Sequence, residues 1–131
     1  MTTIPDSFLQ YACDILGDTD NGYSTSNILK LSVRYSVEYG IDIPHTKLPI
    51  TAPNKRVALY ENIQKFSSEQ QYKILRDLSK DPSQSDRPET KTLVSQLVTR
   101  YGSLSTEETG FDLALSKELE HWLSAYPKSL N

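Results

Sequence analysis

Apolar residues recur at three- and four-residue spacing in segment after segment of this chain, and most segments halt at a glycine or a proline. That spacing is the period of one helix face, so it restricts the chain to helices packed through apolar stripes. The first stripe is Ile4, Phe8, Leu9, Ala12, Cys13, Ile15 and Leu16, opened by Pro5 at a first-turn position and closed by Gly17. Later stripes are Leu59, Ile63 and Phe66; Tyr72, Ile74, Leu75 and Leu78; and Leu93, Val94, Leu97, Val98 and Tyr101. The last is Leu115, Leu119, Trp122 and Tyr126, stopped by Pro127. Helices are therefore predicted over residues 4–16, 27–39, 55–66, 68–80, 89–101 and 106–126. The expected fold is all-α, a single compact bundle of about six short helices. Leu59, Ile63, Leu75, Leu78, Leu97, Leu119 and Trp122 are its expected core.

One segment reads two ways. Leu29, Leu31, Val33, Tyr35, Val37 and Tyr39 alternate strictly with polar residues, which is a strand pattern. Ser24, Thr25 and Ser26 can cap a helix there and Gly40 can end it, and those signals favour a helix. Ser67 with Gln70, or Ser68 with Gln71, forms a capping box, and Ser105 with Glu108 offers another. Residues 41–53 hold Pro44, Pro49 and Pro53 without a period, and read as an extended loop that packs Ile41, Ile43, Leu48 and Ile50 over the core. Residues 81–88 read as a polar loop between prolines and as the most mobile stretch. At 131 residues the chain is expected to form one domain over 1–126, with 127–131 starting a linker towards a further, C-terminal domain.

The net charge of −3 is unevenly spread. Residues 1–43 carry two basic and six acidic side chains, residues 44–100 ten and six, and residues 101–131 two and five. A basic middle keeps nucleic acid among the candidate partners, although no aromatic or glycine interleaving marks a nucleic-acid surface. No basic stretch leads into an apolar run at the start, and no apolar segment approaches the roughly 20 residues that span a bilayer, so a cytoplasmic protein with no membrane association is expected.

Catalytic signals are sparse. His45 and His121 stand far apart and Cys13 is alone, which makes a zinc site improbable and an internal disulfide impossible. Cys13 reads as a small core residue, His45 as a loop-locking or surface hydrogen-bonder and His121 as a half-exposed helix residue. The five glycines stand singly, so no phosphate-cradling loop is present. No catalytic, cofactor-binding or metal-binding residue is assigned, and the chain is expected not to be an enzyme. Two weaker features remain. Asn54, Lys55 and Arg56 put two cations at a predicted helix start, a candidate contact for an anion or a partner, against the simpler reading of a cap and two solvated side chains. Trp122 and Tyr126, one turn apart before Pro127, are candidates for docking a following domain.

Three runs carry a family resemblance: Ile43-Pro44-His45-Thr46-Lys47-Leu48-Pro49, Ala52-Pro53-Asn54-Lys55-Arg56-Val57-Ala58-Leu59-Tyr60-Glu61-Asn62-Ile63, and Phe66-Ser67-Ser68-Glu69-Gln70-Gln71-Tyr72-Lys73-Ile74-Leu75. Together with the ending from His121 to Asn131, they resemble the N-terminal domains of bacterial abortive-infection proteins of the AbiJ type. Such domains often precede a HEPN ribonuclease domain in anti-phage defence. The nuclease signature of that second domain, an Arg followed four to six residues later by His, fits neither His45 nor His121. The resemblance therefore implies a non-catalytic sensing, regulatory or scaffolding domain, with a downstream HEPN-like domain of the same chain as its partner. A free-standing immunity protein or antitoxin that binds a toxin is the first alternative, and a nucleic-acid-binding helical domain the second.

Overall fold

A computed structural model describes residues 2–105, and over them the protein is all-α. The elements are α1 (Asp6–Leu16), α2 (Thr25–Tyr39), α3 (Lys55–Ile63), α4 (Ser68–Lys80), the single turn α5 (Pro82–Ser85), α6 (Pro88–Tyr101) and a 3-10 turn at Gly102–Leu104. The predicted helix over 106–126, the second capping box, the linker, and the expected core residues Leu119 and Trp122 lie outside the described residues.

The ambiguous segment is a helix. The Ser24 hydroxyl accepts from the Asn27 N–H at 3.2 Å, and the far end closes at Gly40 with φ +66°. The Ile41 N–H there donates back to the Ser36 carbonyl at 3.0 Å. Nothing stands near the position a Gly40 Cβ would take, so the left-handed backbone rather than space selects glycine. As a helix, α2 buries Ile28, Leu29 and Ser32 and leaves Val37 77% exposed. The alternation in its sequence thus has no structural counterpart.

α1 packs chiefly on α3 and also against α6 and α4; α2 packs on α3, and α4 on α6 and the 3-10 turn. Between them lie Leu9, Ala12, Leu16, Ile63, Tyr72, Leu75, Leu93 and Leu97, all essentially without solvent exposure. The expected core residues Leu59, Ile63, Leu75, Leu78 and Leu97 are all buried here. Tyr23 joins them, and its hydroxyl donates to the Leu78 carbonyl at 2.6 Å. That bond tethers the α1–α2 connection to α4.

One boundary differs from the sequence reading, and one alternative it left open is decided. α3 stops at Ile63, with a turn in which the Phe66 N–H donates to the Ile63 carbonyl at 3.1 Å, yet Phe66 remains buried. The capping box is the Ser67–Gln70 pair: the Gln70 N–H donates to the Ser67 hydroxyl at 3.2 Å, and the Ser67 N–H to the Gln70 side chain at 2.9 Å. Gln71 is instead buried, its amide donating to the carbonyls of Ile63 and Phe66. Ser67→Ala is expected to destabilise the fold by about 0.5–2 kcal/mol, readable as a lower urea midpoint at unchanged slope.

The larger correction concerns residues 81–88, which are held rather than loose. Asp81 accepts from the Ser83 N–H and hydroxyl and so starts α5, with Pro82 in its first turn. Gln84 is 1% exposed and donates to the Asn21 carbonyl at 3.2 Å. Arg87 donates to the Ile15 carbonyl at 2.8 Å and to the Gln84 side-chain oxygen at 2.7 Å. Both anchors reach residues more than sixty positions earlier, so no local pattern announces them.

Candidate functional site

Of the residues singled out by sequence, Asn54, Lys55 and Arg56 stand at the start of α3. Asn54, in an extended conformation, accepts from the Val57 N–H at 3.0 Å and caps the helix. The two cations that follow turn back onto the α1–α2 connection. Lys55 donates to the carbonyls of Tyr23 at 2.9 Å and Thr19 at 3.4 Å. Arg56 donates to the Thr19 hydroxyl at 2.9 Å, and its Nε lies 3.9 Å from the Asp14 carboxylate. Gly17 permits the approach, because a Cβ there would come within 3.1 Å of the Arg56 side chain and 3.3 Å of its Cα.

Beside this corner, between α1 and α3, lies an open cleft of about 490 Å³ with Asp14, Arg56, Tyr60 and Glu61 on its walls. An anion entering it meets two carboxylates and one guanidinium that already has partners. The cationic pair therefore serves the loop better than it serves an anion, in line with the simpler reading of these residues. Cys13 also borders the cleft but is 1% exposed, and burial pushes its thiol well above the ordinary cysteine range. Native protein is accordingly expected to resist alkylation by iodoacetamide at pH 8 and to react on unfolding; rapid labelling of the folded chain would contradict that burial.

The most ordered polar constellation lies on the next turn of α3. Asn62 has no solvent exposure, and its side chain pairs in both directions with the backbone of His45. The His45 N–H donates to Oδ1 at 2.9 Å, and Nδ2 donates to the His45 carbonyl at 2.9 Å. The His45 ring closes the clamp, with Nε2 2.6 Å from the Glu61 carboxylate. One helix turn thus holds the middle of the proline-rich loop by three bonds. Ile41 and Ile43, just before the clamp, pack against the core; Leu48, beyond it, is 56% exposed, contrary to the expected packing.

A His–carboxylate pair invites a catalytic reading. General base chemistry needs a ring nitrogen directed at the reacting proton. Here Nε2 faces Glu61, and His45 is 5% exposed. The pair fixes the His45 ring against α3. Sequence reading left His45 as either a loop lock or a surface hydrogen-bonder, of which its burial selects the first, and missed Asn62, Gln71, Gln84 and Arg87. For Asn62 a signal existed: with Ala58, Leu59 and Ile63 it occupies the buried face of α3, where a polar residue needs a fixed partner. Trp122 and Tyr126 lie outside the described residues.

Among the described residues no three metal-ligating side chains gather, and no helix is long and apolar enough to cross a membrane. Compared with known proteins, the chain matches no family model, no curated protein and no solved structure.

Proposed function

We propose that this chain is a non-catalytic regulatory or scaffolding domain of a bacterial abortive-infection effector, acting in the cytoplasm on a ribonuclease domain of the HEPN type. The resemblance to AbiJ-type N-terminal domains motivates the reading. One structural observation supports it: the runs that carry the resemblance fall on a single hydrogen-bonded unit. The His45–Asn62–Glu61 clamp ties the loop to α3, the Gln71 bonds tie α4 to the α3–α4 turn, and the Asn54 cap and Ser67–Gln70 box fix the two helix starts. These polar side chains fix a shape, which is what a domain that works by contact requires.

The test uses the complete reading frame in its bacterial host, challenged with phage. Deleting residues 1–131 while keeping whatever follows is expected to abolish infection-triggered growth arrest, either by silencing it or by making it constitutive. Unchanged protection by the deleted protein, or no protection by the intact one, would overturn the proposal.

A further inference from the structure

Four buried side-chain atoms lack a hydrogen-bond partner among the described residues, and two of them share one ridge of α4. They are the Tyr72 hydroxyl and, one turn on, Nε of Arg76. Tyr72 is 1% exposed, so solvent does not satisfy its hydroxyl. Arg76 is half-buried, which leaves part of the side chain reachable from outside. Burial pushes the Tyr72 hydroxyl above the ordinary tyrosine range, and the Arg76 charge acts against that shift, so the two groups feel each other. No ion pair among the described residues includes Arg76. The adjacent Asp77 carboxylate accepts from the Tyr35 hydroxyl at 3.3 Å, on the side of α2. Gly102, in the 3-10 turn, keeps one side of the Tyr72 hydroxyl uncovered. Its φ of −59° suits any L residue, and a Cβ there would meet the Tyr72 oxygen first, at 3.8 Å.

Two dry, unpaired donors, one of them cationic, call for an acceptor that carries negative charge. We infer that Tyr72 and Arg76 form a site for a small oxyanion, a phosphate or a carboxylate, to which the Arg76 Nε–H and the Tyr72 hydroxyl both donate. The guanidinium presents its N–H groups as a planar fork that matches either ligand. Lys80, exposed one turn further along the same ridge, adds a second cation for a doubly charged one. The inference does not rest on the defence reading, and none of these residues belongs to the α3 clamp.

Anion titration of the full chain tests it, at constant ionic strength with chloride as the ion replaced. Sodium phosphate and sodium acetate are added separately while NMR follows the arginine Nε–H signals. The Arg76 signal is expected to shift and saturate with a Kd of about 1 mM or tighter for at least one of them. The Arg87 signal should stay in place, because that side chain already holds the Ile15 carbonyl and Gln84. Saturation by phosphate alone makes the ligand a phosphate group, and saturation by acetate makes it a carboxylate. Tyr72→Phe should weaken binding about tenfold or more, yet in chloride it should be no less stable than wild type, since it removes an orphaned hydroxyl. Arg76→Gln should abolish the rise in thermal midpoint that the bound ion gives the unaltered chain. No saturable shift with either ion, undiminished affinity in Tyr72→Phe, or an equal rise in midpoint in Arg76→Gln would each overturn the proposal.

Discussion

Asn62→Ala is expected to lower the unfolding free energy by about 2–5 kcal/mol. The side chain is fully buried and partners both the N–H and the carbonyl of His45, so its loss strands two backbone groups beneath the loop. Each stranded group costs about 1–3 kcal/mol, the low end applying where water can reach it. The change in methylene burial is small by comparison, so the cost comes from unsatisfied polarity rather than from a cavity. Denaturant unfolding gives the magnitude, and exchange of the His45 amide locates it. If that amide stays protected and the midpoint hardly moves, the clamp does not hold the loop.

Leu97→Ala is expected to cost about 2–5 kcal/mol, the usual range for truncating a buried leucine, with the larger values where the cavity cannot close. Leu97 and Leu93 have no exposure and sit on the face by which α6 meets α4 and α1. Against a typical domain stability of about 5–15 kcal/mol, the loss is a large share of the whole. Val37→Ala is the matched control: at 77% exposure it should shift stability by no more than about 0.5 kcal/mol. Equal effects at the two positions would mean that α6 is not packed as described.

The helical class and the described core were legible in the sequence because both depend on local periodicity, which Leu59, Ile63, Leu75, Leu78 and Leu97 display directly. At α2 the end signals outweighed the strand-like alternation: a serine cap and a left-handed glycine are specific to helix termini, whereas alternation also arises by chance in 13 residues. The polar anchors were harder to see. Gln84 and Arg87 look like ordinary loop residues until folding brings the carbonyls of Asn21 and Ile15 to them. Lys55 and Arg56 looked like a free cationic corner for a related reason, since the Thr19 and Tyr23 oxygens they hold lie more than thirty positions earlier. Only Asn62 advertised itself, by standing on an apolar helix face.

On the proposed reading the α3 constellation is a clamp that shapes a contact surface rather than a catalytic pair, and one substitution separates the two. Glu61→Gln keeps an oxygen to accept from a protonated Nε2 but removes the carboxylate that proton-transfer chemistry would need. Under the proposed defence role, the decisive measurement is whether the complete reading frame carrying Glu61→Gln protects against phage as the unaltered frame does, alongside the thermal midpoint of the variant protein. The clamp account predicts protection equal to wild type at any temperature where the variant is folded. A variant that folds as stably as wild type yet gives no protection would show that the Glu61 carboxylate does more than hold the loop, and would contradict the account.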